Sequence, residues 1–96
     1  MLSNYLIRYG IEDNFNNRTK LDLLIEEVAT EYIQTRYEFG WICHHYHSFS
    51  TDSCTYGAHV RPNEKFTNNM ITESIPLSVI EKLILDKVSD IKSYFN

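Results

Sequence analysis

The four histidines and both cysteines of the chain fall within 17 consecutive positions, Cys43 to His59. The run Trp41-Ile42-Cys43-His44-His45-Tyr46-His47, followed by Cys54 and His59, gathers the side-chain types that ligate zinc. Zinc needs about four such groups within roughly 2.0–2.3 Å of the ion, and the short Cys-x-x-Cys knuckles of structural sites are missing here. A cysteine nucleophile with a histidine base is the other chemistry these types allow. Consecutive strand residues point to opposite faces, so Cys43 and His44 cannot meet; His45 shares the side of Cys43, but no third group orients the pair. Phosphate-binding glycine loops, dinucleotide fingerprints and nucleophile elbows are also missing. The expectation is a protein that is not an enzyme and uses no cofactor, with His44 and His59 as the weak candidates for a metal.

These residues need a hairpin to position them. From Trp41 the pattern has a period of two: Phe39, Trp41, Cys43, His45, His47 and Phe49 share one face, and Ile42, His44, Tyr46 and Ser48 share the other. A tight turn centred on Thr51-Asp52 pairs Phe49 with Cys54, His47 with Tyr56, His45 with Ala58, His44 with His59 and Cys43 with Val60. That register sets the two cysteines about 20 Å apart at roughly 3.3 Å per residue, too far for a bridge or a shared ion. The core side is expected to hold Trp41, Cys43, Phe49, Tyr56, Ala58 and Val60. The opposite side carries Ile42, His44, Tyr46, Ser48, Thr55, Gly57, His59 and Arg61. Tyrosine, histidine and arginine are residue types that anchor interfaces, and Gly57 opposite Tyr46 leaves room against the backbone.

The flanking elements follow from periodicity. Asn4–Ile11 alternates like a strand, Asn14–Asn17 reads as a loop, and Thr19 as the N-cap of a helix reaching Glu38 and ended by Gly40. The apolar face of that helix is Leu21, Leu24, Ile25, Val28, Tyr32 and Phe39, with Ile33 and Tyr37 together on its back. Pro62-Asn63 marks a turn, and a third strand falls between Lys65 and Glu73. Ser78 and Glu81 form a capping box after Pro76, opening a last helix whose stripe runs from Ile80 through Leu83, Ile84, Val88, Ile91 and Tyr94 to Phe95. Lys87 stands in that stripe as a snorkelling stem. The fold class expected is α+β: a small two-layer sandwich in the order β-α-β-β-β-α, with a mostly antiparallel sheet and two helices on one face. It forms a single domain over residues 1–96.

Composition narrows the function classes. Hydrophobic residues are 43% and charged residues 23%, ordinary for a globular domain, which argues against disorder. A net charge of −4 counts against nucleic acid as a partner, and nothing in the chain is apolar enough to span a membrane. With few cysteines and no export signal at Met1–Arg8, the expected compartment is the cytoplasm. Asparagine, isoleucine and tyrosine are abundant, a bias towards AT-rich codons shared by phage, mobile elements and low-GC bacteria. Between Glu12 and Glu38 there are seven acids against three bases, so this segment carries a charge equal to that of the whole chain. Glu27, Glu31 and Glu38 form one acidic stripe, and Asp22 and Glu26 a second like-charged pair. The leading expectation is a small acidic protein-binding module that acts by occlusion, an inhibitor or immunity-type protein of a phage or mobile element. Glu27, Glu31 and Glu38 would steer a basic protein partner, with Tyr46, His44, His59 and Arg61, or else Ile33 and Tyr37, as anchors. The alternative is a binder of an anionic nucleotide on His44, Tyr46, His59 and Arg61; a histidine metal site comes third.

Overall fold

A computed structural model describes residues 2–49 and 52–95, so the tip of the hairpin at Ser50-Thr51 lies outside the described residues. The elements are α1 (Leu2–Arg8), α2 (Phe15–Arg36), β1 (Ile42–Phe49), β2 (Ser53–Val60), β3 (Met70–Pro76), α3 (Leu77–Lys87) and α4 (Ile91–Phe95). The strands form an antiparallel sheet in the order β1-β2-β3. The chain is an α+β domain, and its order begins with a helix rather than the expected strand.

That first difference has a local cause. Tyr5, Leu6 and Tyr9 lie on one helical face, with Tyr5 and Leu6 buried and the Tyr5 and Tyr9 rings 4.9 Å apart. Gly10, at φ +70°, ends the helix: its amide bonds the Ile7 carbonyl, and the Ile11 amide bonds the Leu6 carbonyl. This is the left-handed glycine cap, and Leu6 and Ile11, at the two positions whose side chains such caps bring together, are both buried. Apolar residues on both sides of a short alternating run satisfy a strand and a helix equally, so packing against α2 decided.

Helix α2 starts earlier than Thr19. The Asn14 side chain accepts a bond from the Asn17 amide at 2.8 Å, and the buried Asn17 side chain donates to the Glu12 carbonyl at 2.8 Å. The asparagines that read as a loop are thus the cap itself, through the same local bonding. The helix stops at Arg36, before Glu38, and Gly40 does not end it: the Gly40 amide bonds the Arg61 carbonyl at 3.0 Å. A Cβ at Gly40 would lie 2.3 Å from that oxygen, so the glycine serves a close approach of the two segments that flank the hairpin strands. Ile33 is buried, not on the back of the helix. Ala29, also buried, continues the stripe from Ile25 to Ile33 at four-residue steps and rotates the buried face beyond the one expected.

In the hairpin, the expected pairs from His44–His59 to Phe49–Cys54 are present. Above His44 the register shifts: Ile42, not Cys43, pairs with Val60, and Cys43 is an extra residue in a bulge. One inserted residue reverses the alternation. Ile42 therefore packs against the core, while Cys43 and Trp41, expected inside, are exposed. Strand β3 begins at Met70, later than expected, because the Asn63 side chain accepts bonds from the amides of Lys65 and Phe66 and holds that stretch as a turn.

The core draws on α1, α2, β2, β3, α3 and α4, with Leu21, Leu24, Val28, Tyr56, Ile75 and Ile84 among its most enclosed members. Helix α3 leaves β3 directly at Pro76 with no side-chain cap, so the Ser78–Glu81 box is not formed. The last apolar stripe is two helices, not one. Asp90 accepts from the amide and hydroxyl of Ser93 and starts α4, which returns Ile91 and Phe95 to the core.

Candidate binding face

Burial divides the sheet sharply. Cys54, Tyr56, Ala58, Ile71 and Ile75 are buried on one face, with the Tyr56 hydroxyl 3.1 Å from Thr30 of α2. The side chains of His45 and His47 also turn to α2: His47 bonds Asp22 at 2.8 Å and His45 bonds Glu26. These two contacts give the second acidic pair of α2 its partners, and the His45 ring stacks on Tyr56 with centroids 5.8 Å apart.

The other face is built in rows across the three strands. His44, His59 and Met70 form one row, Tyr46, Gly57 and Thr72 the next, and Ser48, Thr55 and Ser74 the third. The His44 and His59 rings are 5.2 Å apart. Tyr46 lies across Gly57 so closely that a Cβ there would fall 2.4 Å from its ring. Beyond the bulge, the Trp41 carbonyl accepts a bond from the Arg61 amide, and alternation from core-facing Ile42 puts the exposed Trp41 on the side of this face. The structure thus brings His44, Tyr46 and His59 to one side of the sheet, while Arg61 follows Val60 just past the end of β2 and is exposed. Sequence reading missed Met70 and Thr72, because a strand located only as lying between Lys65 and Glu73 has no register to β2, and Trp41, because no local signal announced the bulge.

The face offers rings and hydrogen-bonding groups but no converging donor set. Among the described residues, no three histidine, cysteine or carboxylate groups come together to hold a metal. Cys43 and Cys54 are both free thiols. Cys54 is fully enclosed, and burial followed by the nearby Asp22 charge pushes its thiol upward, which disfavours the thiolate a nucleophile needs.

The acidic residues of the α2 segment are spread differently. Glu27 and Glu31 both bind Lys87 of α3, at 3.1 and 2.7 Å, and these bonds raise the lysine pKa. Lys87 is therefore a clamp between helices rather than a snorkelling stem. Glu38 lies beyond the helix and pairs with Lys65 at 2.8 Å. Tyr37 donates to Glu73 of β3 at 2.6 Å, which raises its pKa, and Arg36 pairs with the same carboxylate at 2.8 Å. Ile33 and Tyr37 form no free apolar pair: one is core, and the other ties the end of α2 to the sheet. Compared with protein-family models, characterised proteins and solved structures, the chain matches none.

Proposed function

We propose that the chain is a non-enzymatic protein-binding module of inhibitor type, working by occlusion through the open face of its sheet. One observation carries the reading: Trp41, Met70 and Tyr46, all large and partly apolar, stand 76%, 56% and 52% exposed on or beside one sheet face. Rigid aromatic and methionine side chains with polar neighbours are the usual anchors of protein interfaces. A small molecule is better held in a concave pocket, and this face is open. A two-layer arrangement, with the long helices beneath the sheet, leaves the face free for a macromolecule. Steering would come from the net charge of −4 rather than from Glu27, Glu31 and Glu38, whose cationic neighbours offset them locally. A reducing cytoplasm suits the exposed thiol of Cys43.

The test is native mass spectrometry of the chain isolated gently from its own host, followed by Trp41→Ala, Tyr46→Ala and Met70→Ala. Leu23→Ala, on an exposed apolar residue of α2, is the control. A macromolecule at fixed stoichiometry is expected, with affinity reduced about tenfold or more by the face substitutions, roughly 1.4 kcal/mol each. A bare chain, or binding lost only in the control, retires the reading. A small-molecule adduct would transfer the face to a ligand such as a nucleotide.

A further inference from the structure

We propose that the outer edge of β1 pairs with the same edge of a second copy of this chain, joining two sheets into one continuous antiparallel sheet about a two-fold axis. Strand β1 is outermost in its sheet. The Val60 amide bonds Asn69 on the β3 side, whereas the Arg61 amide bonds Trp41 on the β1 side. Antiparallel ladders alternate, so His59, Gly57 and Thr55 bond β1, and the backbone groups of His45, His47 and Phe49 point away from β2. Among the described residues, no backbone hydrogen bond outside the hairpin ladder ends on them.

Exposed edges are normally guarded by lysine, other charges or proline. The opposite edge follows that rule, with Glu73 and Pro76 in β3. Ile42–Phe49 contains no lysine, arginine, aspartate, glutamate or proline. An unguarded edge fits a second copy because antiparallel pairing about a two-fold axis is self-complementary and needs no other sequence. An axis beside His47 sets its outward amide and carbonyl against their counterparts, and His45 against Phe49 on either side. The strand itself brings no lysine, arginine or carboxylate to the axis; on the helix side, the rings of His45 and His47 bond the Glu26 and Asp22 carboxylates. Ser48, exposed on the open face, lies next to that axis. The proposal concerns the edge of the sheet and stands or falls independently of what the face binds.

The experiment measures the mass of the purified chain in solution by light scattering over rising concentration, for the unmodified protein, Ser48→Lys and Ser48→Glu. The unmodified mass should double with concentration. Each variant alone should fall towards single-chain mass, because Ser48 faces Tyr46 of the second copy and the two like charges become diagonal neighbours across the axis, about 7–8 Å apart, and an equal mixture of the two should recover the doubled mass. Amide hydrogen exchange on the unmodified chain gives a second readout: His45, His47 and Phe49 should become protected as the mass doubles. This readout decides if either variant fails to fold by circular dichroism. A single-chain mass at every concentration overturns the proposal. So does a doubled mass without protection of those amides, or one indifferent to both Ser48 charges.

Discussion

Gly57 in the hairpin and Gly40 just before it are crowded to a similar degree but should respond unequally to a methyl group. At Gly40 the obstacle is the Arg61 carbonyl, part of the backbone, which cannot move without breaking the ladder. Gly40→Ala should cost on the order of 1–3 kcal/mol in a denaturant titration. At Gly57 the obstacle is the far end of the exposed Tyr46 ring. Gly57→Ala should therefore change stability by less than about 1 kcal/mol, while swinging the ring off the face and weakening partner binding. Tyr5 supplies a third case. Its hydroxyl is buried with no hydrogen-bond partner among the described residues, and burial, then the nearby Tyr9, pushes its pKa to about 12. A raised folded pKa means the unfolded chain gives up this proton first. The stability it contributes is thus complete below pH 10 and lost as pH climbs through about 12. Tyr5→Phe should flatten that alkaline loss and be neutral or stabilising at neutral pH, since no bond is broken. Thermal melts between neutral and alkaline pH check both statements.

The start of α2 is set by Asn14 rather than Thr19, and their substitutions should separate accordingly. Asn14→Ala should cost about 1 kcal/mol, and Thr19→Ala, at an exposed position within the helix, much less. The α2–α3 contact is held in part by Lys87 between two glutamates. Lys87→Glu places three acids together, so its melting temperature should fall, and the deficit should shrink near 1 M salt, where the screening length is about 3 Å. The ends of these elements were the least legible in the sequence. Asparagine clusters signal turns and caps by the same local bonds. A capping box at Ser78 was readable but went unused because β3 runs into α3 without a loop. Asp90 interrupts the last stripe with its own bonds to Ser93, a competition that apolar periodicity does not register.

For the molecule as a whole, substitutions in the core and on the open face should part company. Ile33→Ala removes a fully enclosed side chain and should cost about 2–5 kcal/mol; any loss of binding would follow from unfolding. Trp41→Ala and Tyr46→Ala remove exposed rings and should leave the melting temperature nearly unchanged while binding falls. Measuring both quantities on each variant separates a functional face from a structural one. Helix α1 gains its place only at this scale, by packing Tyr5 and Leu6 into the shared core and by the contact of Arg8 with Glu81 of α3.

What the amino-acid sequence determined by itself was local and periodic: an α+β domain, a long apolar-striped α2, the hairpin register below His44, and the grouping of His44, Tyr46 and His59 on one side. A period of two or 3.6 survives in any context because it reflects side-chain direction along the backbone. Tertiary structure decided whether Asn4–Ile11 coils or extends, which way Trp41 and Cys43 turn above the bulge, and that Ile33 is core. It also decided which cations meet Glu27, Glu31 and Glu38. Each of these depends on residues distant in the chain: α2 beneath the strands, Arg61 across from Gly40, Lys87 and Lys65 opposite the acids. Their free energies enter only once those elements pack together.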